Sequence, residues 1–416
     1  MLWRVALSIA IAQLANRRRQ TLVSMLGVAL GVGFFIATSS IMSGSEQDFT
    51  QRLVNNAPHI TIKDEFRNPT TQPVFLAYPT GAISLVRTKP REYLRGIKNY
   101  GAKVEELSQR SGVIAEAALT GQIIVRYANK DVSASVAGID PAKEKFLTQV
   151  ESDMREGSLD RLKTTADGIV IGSGMSQKLG LKMDDLATVI APSGLVKRMK
   201  VVGIFHVGNL LLDEGQVYVL LKNAQVLLDK AFIANQIRIK IPNPDDAETF
   251  AAGLEARWGY RSESWQEVNR DILGLFVIRN AITYSIVSAI MVVAAFGIFN
   301  IISTVVMEKR RDIAIMMSMG FHAFDIQLIF LIQGILVGLL GMSLGWGIGR
   351  GLLEAVSTLK FTVPGMTERQ GFVLDWSFRP YAIGGVFALV SAIVAAWYPA
   401  HKASEVRPVD IIRGAA

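Results

Sequence analysis

Several residue types and motifs that carry chemistry are missing from this chain or scarce in it. No cysteine occurs among its 416 residues, so no disulfide forms, and the redox compartment stays open. The dipeptide Gly-Lys is absent, which excludes a phosphate-binding loop of the form Gly-x-x-x-x-Gly-Lys-[Ser/Thr]. The four histidines lack the spacing of metal ligands: His59, His206, His322 and His401. Neither a nucleotide-hydrolysing centre nor a metal centre is therefore expected.

Charge is also absent from four long stretches of the sequence. Each of them contains no Asp, Glu, Lys or Arg and reaches the roughly 20 residues that a helix needs to cross a hydrocarbon core. The four runs are Thr21–Met42, Asn280–Met307, Ile326–Gly349 and Pro380–Ala400. One such run could be a buried helix of a soluble domain, whereas four in one chain predict a multi-pass membrane protein.

The charges that flank these runs predict the orientation of the chain. Arginines at 17–19 precede the first run, a basic cluster at 309–311 follows the second, and further basic residues follow the fourth. Because cytoplasmic loops carry an excess of Lys and Arg, both termini and the segment 308–325 are expected in the cytoplasm. The net charge of +8 reflects this bias, so nucleic acid is not an expected partner.

The N-terminal segment is apolar before its basic cluster, which is the reverse of the order in a cleavable signal peptide. The sequence begins "MLWRVALSIAIAQLANRRRQ". We expect Met1–Asn16 to form an amphipathic helix on the inner membrane interface, with Trp3 at the depth of the headgroups.

The long insert between the first two runs has the pattern of a folded α+β domain. Short strand-like runs recur along it: "HITIKD", "QIIVRY", "SASVAGID", "GIVIG", "LATVIAP", "RMKVVGIF", "GQVYVLL" and "NQIRIKI". Helical patterns such as "SGMSQKLGLK" and "DDAETFAAGLEARWG" lie between them. Two subdomains are expected, one from 43–140 with 216–275 and another from 141–215. The proline-containing stretch Arg67–Ala82 is predicted to be an irregular surface segment.

Nothing in the insert indicates catalysis. "GIVIGSGMSQKLG" has Gly172 and Gly174 but Gln177 where a dinucleotide fingerprint has glycine, so a strand-to-helix turn is the better interpretation. The carboxylate pairs at 184–185 and 213–214 are interpreted as solvated turns, because no nucleophile or base is paired with them in the sequence. We therefore predict no enzyme activity for this chain.

The segment Glu308–Gly320 lies between the second and third runs and is too short and too charged to span a membrane. It has good helix formers, and Gly320 supplies a stop where the backbone can adopt a positive φ. An apolar stripe is formed by Ile313, Met316, Met317 and Gly320. This pattern fits equally an interfacial helix lying on lipid headgroups and an element that docks on a cytoplasmic partner.

A family resemblance favours docking. "MEKRRDIAIMMSMGFHAFDIQLIFLIQG", Met307–Gly334, resembles the signature region of ABC transporter permeases of the MacB/FtsX type, and "WYPAHKASEVRPVDIIRG", Trp397–Gly414, resembles their C-terminal ending. The resemblance implies that the segment is the coupling helix that contacts a separate cytoplasmic ABC ATPase dimer. ATP and Mg would be bound by that LolD-like partner, with no cofactor in this chain. The residues implied in ATPase coupling are Glu308, Lys309, Arg310, Arg311, Asp312, Ile313, Met316, Met317 and Gly320.

The resemblance also implies a fold and its segments. The fold is a membrane protein with four transmembrane α-helices and a large α+β periplasmic domain inserted between helices 1 and 2. The expected segments are an interfacial helix (1–20), transmembrane helix 1 (21–42), a MacB-like periplasmic core domain (43–275), transmembrane helix 2 (280–307), the coupling helix (308–325), transmembrane helix 3 (326–350), a periplasmic loop (355–378), transmembrane helix 4 (380–400) and a cytoplasmic tail (401–416).

Within this family the chain is most similar to the lipoprotein-releasing permeases LolC and LolE. The similar stretches are "SIMSGSEQDFTQRLVNNAPHITI", Ser40–Ile62, and "AIMVVAAFGIFNIISTVVMEK", Ala289–Lys309. The resemblance implies extraction of lipoproteins or other lipid-like substrates from the inner membrane, together with a second permease copy or paralogue. Two departures are Ser45, where the family usually has Phe, and the compact segment Thr188–Phe205. LolC carries a longer hairpin at that segment, which hooks the periplasmic carrier, so a carrier or adaptor stays open as a partner.

A lipid-anchored cargo needs an apolar cavity that opens sideways to the membrane. The candidate substrate residues on the first two spans are Met25, Phe34, Phe35, Met42, Met291, Phe296 and Phe299. Ordinary packing or lipid contact is the competing interpretation for each of them. The alternative functions on the same fold are the permease of a MacB-like tripartite efflux system and an FtsX-like mechanotransmitter that transports nothing.

Overall fold

The computed structural model describes residues 2–67, 74, 77–78, 96–359 and 371–406. Most of the predicted surface segment Arg67–Ala82, the middle of the predicted loop 355–378 and the tail beyond 406 lie outside the described residues. The chain divides into two compact units. The described part of the first lies within 1–48, 274–361 and 370–416, and that of the second within 49–273.

The helices and strands are numbered here in chain order. The α-helices are α1 (Leu2–Asn16), α2 (Arg18–Asn56), α3 (Tyr100–Ser108), α4 (Pro141–Leu147), α5 (Arg161–Thr164), α6 (Ser173–Leu179), α7 (Leu210–Gly215), α8 (Leu221–Leu227), α9 (Ala247–Trp258), α10 (Trp265–Val268), α11 (Arg270–Glu308), α12 (Arg310–Ser318), α13 (Ala323–Ser357) and α14 (Arg379–Ser404). The strands are β1 (Ile60–Lys63), β2 (Ile114–Tyr127), β3 (Lys130–Ile139), β4 (Met154–Gly157), β5 (Gly168–Gly172), β6 (Leu186–Ile190), β7 (Val196–Phe205), β8 (Gln216–Leu220), β9 (Gln236–Lys240) and β10 (Ser262–Ser264).

Four helices in the described ranges are long and apolar enough to cross a membrane. They are α2, α11, α13 and α14, with mean hydropathies between 1.8 and 2.4 in their most apolar windows. They correspond to the four uncharged runs of the sequence. All four continue beyond those runs, and α2 and α11 are the longest, with 39 residues each. At a rise of about 1.5 Å per residue each of these two is roughly 58 Å long, about twice the thickness of a hydrocarbon core.

A glycine stripe on α13 brings that helix against α2. Its members are Gly341, Gly345 and Gly349, four residues apart on one face. A Cβ added at Gly345 would lie 2.6 Å from the Val32 Cβ and 2.9 Å from the Ala29 carbonyl oxygen. Only glycine permits so close an approach of two helices, which is a common packing device in membranes. Gly347, which points away from this contact, has no atom within 4 Å of such a Cβ.

The second unit is built on a ten-stranded sheet with the order β10-β1-β9-β2-β3-β8-β5-β7-β4, in which β6 pairs with β2 and β7. Most pairs are antiparallel, but β3 with β8 and β5 with β7 are parallel. All eight strand-like runs of the sequence are strands. The two additional strands, β4 and β10, have only four and three residues and lie at the two ends of the sheet order.

The strand β2 belongs to both halves of this sheet. Its first residues, Ile114–Ala118, pair with β9, and Leu119–Tyr127 pair with β3. One hydrophobic core lies around β1, β9 and α9, and two further cores lie around β3, β5, β7 and β8. The separation of the first core from the other two agrees with the expectation of two subdomains. The predicted division is nevertheless wrong for β3 and β8, because their parallel pairing holds both in the half that contains β5 and β7.

A buried charged cluster joins β2, β9 and α4. The Arg238 guanidinium donates hydrogen bonds to the carboxylates of both Glu116 and Glu144, and Thr148 Oγ1 donates to Glu144 Oε1 at 3.0 Å. Both carboxylates are essentially inaccessible to solvent. Burial raises the pKa of Glu116 to about 9. Arg238 opposes this rise, and the neighbouring Glu144 adds to it. Glu116 therefore holds a proton at neutral pH.

Candidate functional site

The predicted coupling segment, Glu308–Gly320, is a helix with a break near its start. The helix α11 ends at Glu308, and Lys309 leaves helical geometry at φ −94° and ψ 11° before α12 begins. The segment closes at Gly320, whose φ of +103° is accessible to glycine at little cost. A reciprocal cap of His322 and Asp325 then starts α13, with the Asp325 carboxylate accepting from the His322 amide at 2.9 Å. The segment is thus held at both ends by a helix of the first unit.

The apolar stripe of this segment faces the chain's own helices. Ile313 is fully buried in the hydrophobic core of the first unit, and Met316 and Met317 pack against that core. Gly320 is exposed at the turn. The opposite face presents Ile315 and Met319, with 47% and 69% of their surface exposed. The face that a partner can reach is therefore the one that the periodicity argument did not select.

The charged residues at the start of the segment fall into two groups. Glu308 forms an ion pair with Arg17, just after helix α1, and Lys309 pairs with Asp312 at 2.7 Å. Arg310 and Arg311 are exposed, and no ion pair or hydrogen bond involves their side chains in the described part of the chain. The exposed charge that remains for a partner is thus cationic.

A second link joins α1 to the helical bundle. Gln333 on α13 is buried, and its side-chain amide donates to the Gln13 side chain of α1. Thr21 Oγ1 on α2 donates to the carbonyl oxygen of Leu14 at 3.2 Å. A polar side chain buried among apolar helices needs a partner, so these bonds anchor α1 to the bundle. The sequence offered one usable signal, a glutamine in the middle of the third uncharged run, with apolar residues on both sides.

An apolar cavity of about 220 Å³ lies among α2, α11 and α14. Its lining residues are Phe35, Tyr284, Val287, Ser288, Met291, Ile383, Gly384 and Phe387. The rings of Phe35 and Tyr284 lie 6.2 Å apart, centroid to centroid. Such a cavity offers acyl chains or aromatic groups contact without polar competition.

The structure brings two of the seven predicted substrate residues to this cavity, Phe35 and Met291. Phe34 and Phe296 are exposed on the outer faces of their helices, and Met25 and Phe299 are half-buried elsewhere. Met42 is half-buried, and its carbonyl oxygen accepts from Arg279 Nη2 at 3.3 Å. The periodicity of α2 and α11 did not show which face meets α14, so the contributions of Tyr284, Ser288 and Phe387 were missed.

The carboxylate pairs of the second unit have structural partners. Asp213 is buried and accepts from the amides of Val207 at 2.9 Å and Gly208 at 3.2 Å, so the prediction of a solvated turn is wrong for this residue. Its carboxylate and the Ser173 hydroxyl both contact Nδ1 of His206. Because both use the same ring nitrogen, the three residues are not arranged as a catalytic triad.

The described residues contain four apolar helices of membrane-spanning length and a large α+β domain, which is the architecture of a multi-pass membrane protein. Residues 284–408 match the FtsX-like permease C-terminal family, and residues 21–257 match the MacB-like periplasmic core domain. The second match alone covers more than half of the 416 residues. The chain belongs to this family of FtsX-like permeases with a MacB-like core domain, and the resemblance stated from the sequence is confirmed.

Curated relatives match along almost the whole chain. The lipoprotein-releasing system transmembrane protein LolC of Xylella fastidiosa is 26% identical over 439 residues, covering 98% of both chains. LolE of Haemophilus influenzae is 23% identical over 94% of this chain and 93% of its own. The ABC transporter permease YknZ of Bacillus subtilis is 24% identical over 99% of this chain and 98% of its own. By name, YknZ is an ABC transporter permease, and LolC and LolE are transmembrane proteins of a lipoprotein-releasing system.

Proposed function

We propose that this chain is the permease subunit of an ABC transporter that extracts lipoproteins, or other lipid-anchored molecules, from the inner membrane. The observation that carries the proposal is the apolar cavity among α2, α11 and α14. Each methylene group removed from water contributes about 0.8 kcal/mol, so a dry cavity of this kind favours acyl chains over polar cargo. The names of the LolC and LolE relatives support the choice of a lipoprotein as that cargo.

The energy would come from a separate cytoplasmic ATPase dimer that binds ATP and Mg. The exposed Arg310, Arg311, Ile315 and Met319 of the coupling segment supply a mixed cationic and apolar contact surface for it. A second copy of the chain, or a paralogue, would complete the membrane part of the complex. In this proposal the chain itself has no ATPase activity.

The proposed orientation puts both termini and the coupling segment in the cytoplasm and the α+β domain, between transmembrane helices 1 and 2, in the periplasm. The cysteine-free sequence permits a direct test with single cysteines at two exposed positions. Ile315→Cys, on α12, should be protected from an impermeant thiol reagent in whole cells. Leu211→Cys, on α7 and 82% exposed, should be labelled once the outer membrane is permeable to the reagent. The reverse pattern would overturn the orientation.

The substrate part of the proposal is tested by filling the cavity. Ser288→Trp puts a large ring into the cavity, whereas Val293→Trp puts the same ring on a face of α11 that is 72% exposed. Mass spectrometry of the purified chain and its native partners should find lipidated protein with Val293→Trp and little with Ser288→Trp. Equal recovery from the two variants would refute a role of the cavity. Recovery of a soluble drug-like cargo, with no lipidated protein, would instead favour the efflux alternative.

The ATPase part is tested at the coupling segment. Arg310→Glu together with Arg311→Glu reverses the exposed charge, and repulsion across an interface typically costs several kcal/mol, enough to weaken docking about a hundredfold. The control is Arg18→Glu together with Arg19→Glu. It reverses the same number of charges, also on the predicted cytoplasmic side, but outside the coupling segment. Stimulation of the partner ATPase should be lost in the first double variant and kept in the second. Unchanged stimulation in both would refute the assignment of the segment.

A further inference from the structure

Arg279 forms a polar cluster on α11, at the end of the uncharged run opposite to the coupling segment. Its Nη2 donates to the Glu46 carboxylate at 2.9 Å and to the Met42 carbonyl oxygen at 3.3 Å. Arg279 lies five residues before the cavity residue Tyr284, and Met42 lies seven residues after the cavity residue Phe35. At about 1.5 Å per residue the cluster is therefore roughly 10 Å from the cavity along the helix axes.

The guanidinium of Arg279 has donors left over. Its Cζ lies 4.8 Å from the centroid of the Phe276 ring. All of its hydrogen bonds within the described residues start from Nη2, so Nη1 and Nε have no acceptor there. Nε is buried and Nη1 is not, and the side chain as a whole keeps 27% of its surface, so Nη1 is the donor that a ligand can reach. An N–H group without an acceptor in the protein favours a ligand that brings one.

The charge of the pair selects the kind of acceptor. Glu46 neutralises Arg279, and Asn280 Nδ2 adds a further donor to the Glu46 carboxylate at 3.3 Å. A phosphate that approached Arg279 would meet this carboxylate and be repelled by it. An ester or amide carbonyl oxygen accepts a hydrogen bond without bringing a charge, so the carboxylate does not oppose it.

We propose that the Arg279–Glu46 pair binds the uncharged ester or amide carbonyl that joins acyl chains to the peptide of a lipidated protein, and discriminates against anionic phospholipids. This inference rests on the proposed function, since it places the acyl chains in the cavity among α2, α11 and α14. It adds a residue-level reason for preferring a lipidated peptide to the phospholipids that surround the protein.

The test measures binding to the full chain in detergent. The probe is a fluorescent tripalmitoylated cysteinyl-serine peptide with an uncharged peptide part, and phosphatidylglycerol is the competitor. Arg279→Lys keeps the ion pair but removes Nη1 and the planar fork, so the Kd of the probe should rise about tenfold, the loss of one charge-assisted hydrogen bond. Glu46→Gln leaves the guanidinium unneutralised, so phosphatidylglycerol should compete about tenfold more strongly. Asp271→Asn, which removes a carboxylate eight residues earlier on α11, should change neither value.

The cavity-filling variant Ser288→Trp separates the two levels of failure. If the unmodified chain does not bind the probe, the proposed function and this inference both fail. If it binds the probe and Ser288→Trp does not, while Arg279→Lys and Glu46→Gln behave like the unmodified chain, the inference alone is overturned. Co-elution of each variant with the native ATPase shows that the variant is folded.

Discussion

The buried cluster of Arg238, Glu116 and Glu144 predicts that the second unit loses stability as the pH rises. The folded state holds a proton on Glu116 up to a pKa of about 9, whereas the unfolded chain releases it near the ordinary value of 4.5. Between these values the folded state binds more protons than the unfolded state. The stabilisation from this proton is therefore complete below the unfolded pKa and is lost progressively as the pH rises toward the folded pKa.

The size of the effect follows from the linkage relation. One extra proton bound by the folded state changes the free energy of unfolding by about 1.4 kcal/mol per pH unit, so about 3 kcal/mol is lost between pH 5.5 and pH 8. Glu116→Gln copies the protonated carboxyl: its oxygen can accept from Arg238, and its amide can donate to Glu144. The variant should keep the stability that the unmodified chain has at pH 5.5 and lose the pH dependence of this site.

Pulse proteolysis of the full chain in urea, following the fragment that contains residues 49–273, measures this free energy at each pH. Glu105→Gln on α3, which is exposed, is the matched control and should keep the slope of the unmodified chain. A Glu116→Gln variant that loses stability with pH as steeply as the unmodified chain would refute the assignment of the proton to Glu116.

Three further predictions concern the first unit. Gly345→Leu should separate α13 from α2 and lower the free energy of unfolding of the first unit by about 1–3 kcal/mol or more. Gly347→Leu, on an open face of α13, should leave this free energy nearly unchanged. A detergent unfolding assay measures both variants. Arg17→Glu or Glu308→Arg alone should reduce ATPase stimulation, and the double charge swap should restore it; a double variant as weak as the singles would show that Glu308 acts on the partner and not on Arg17. Met42→Glu should abolish retention of lipidated protein without loss of ATPase binding, and normal retention would remove Met42 from the substrate path.

The sequence predicts the strands and spans of this protein better than their ends and faces. All eight predicted strands were found because β-branched residues recur in them, whereas β4 and β10 are too short and too polar to give a pattern. The span predicted to end at Met42 belongs to a helix that runs to Asn56, because loss of hydrophobicity ends the membrane segment and does not end the helix. Likewise, periodicity identified the apolar stripe of α12. It did not show whether a partner protein or the chain's own core packs against that stripe, because this depends on tertiary packing.

The proposed lipid site and the coupling segment lie at the two ends of one helix. From Arg279 to Glu308 α11 is uninterrupted and contains no proline, a distance of about 44 Å at 1.5 Å per residue. No charged residue lies in the uncharged run between them, so the sequence offers no path for protons or ions through this helix. Displacement of the helix itself is then the simplest means of communication.

If ATPase docking and lipid binding both favour one position of α11, linkage requires the effect to be reciprocal. The factor by which the lipopeptide tightens ATPase binding must equal the factor by which the ATPase tightens lipopeptide binding. Two titrations of the same purified components measure the two factors. If neither factor differs from one, α11 does not transmit the signal.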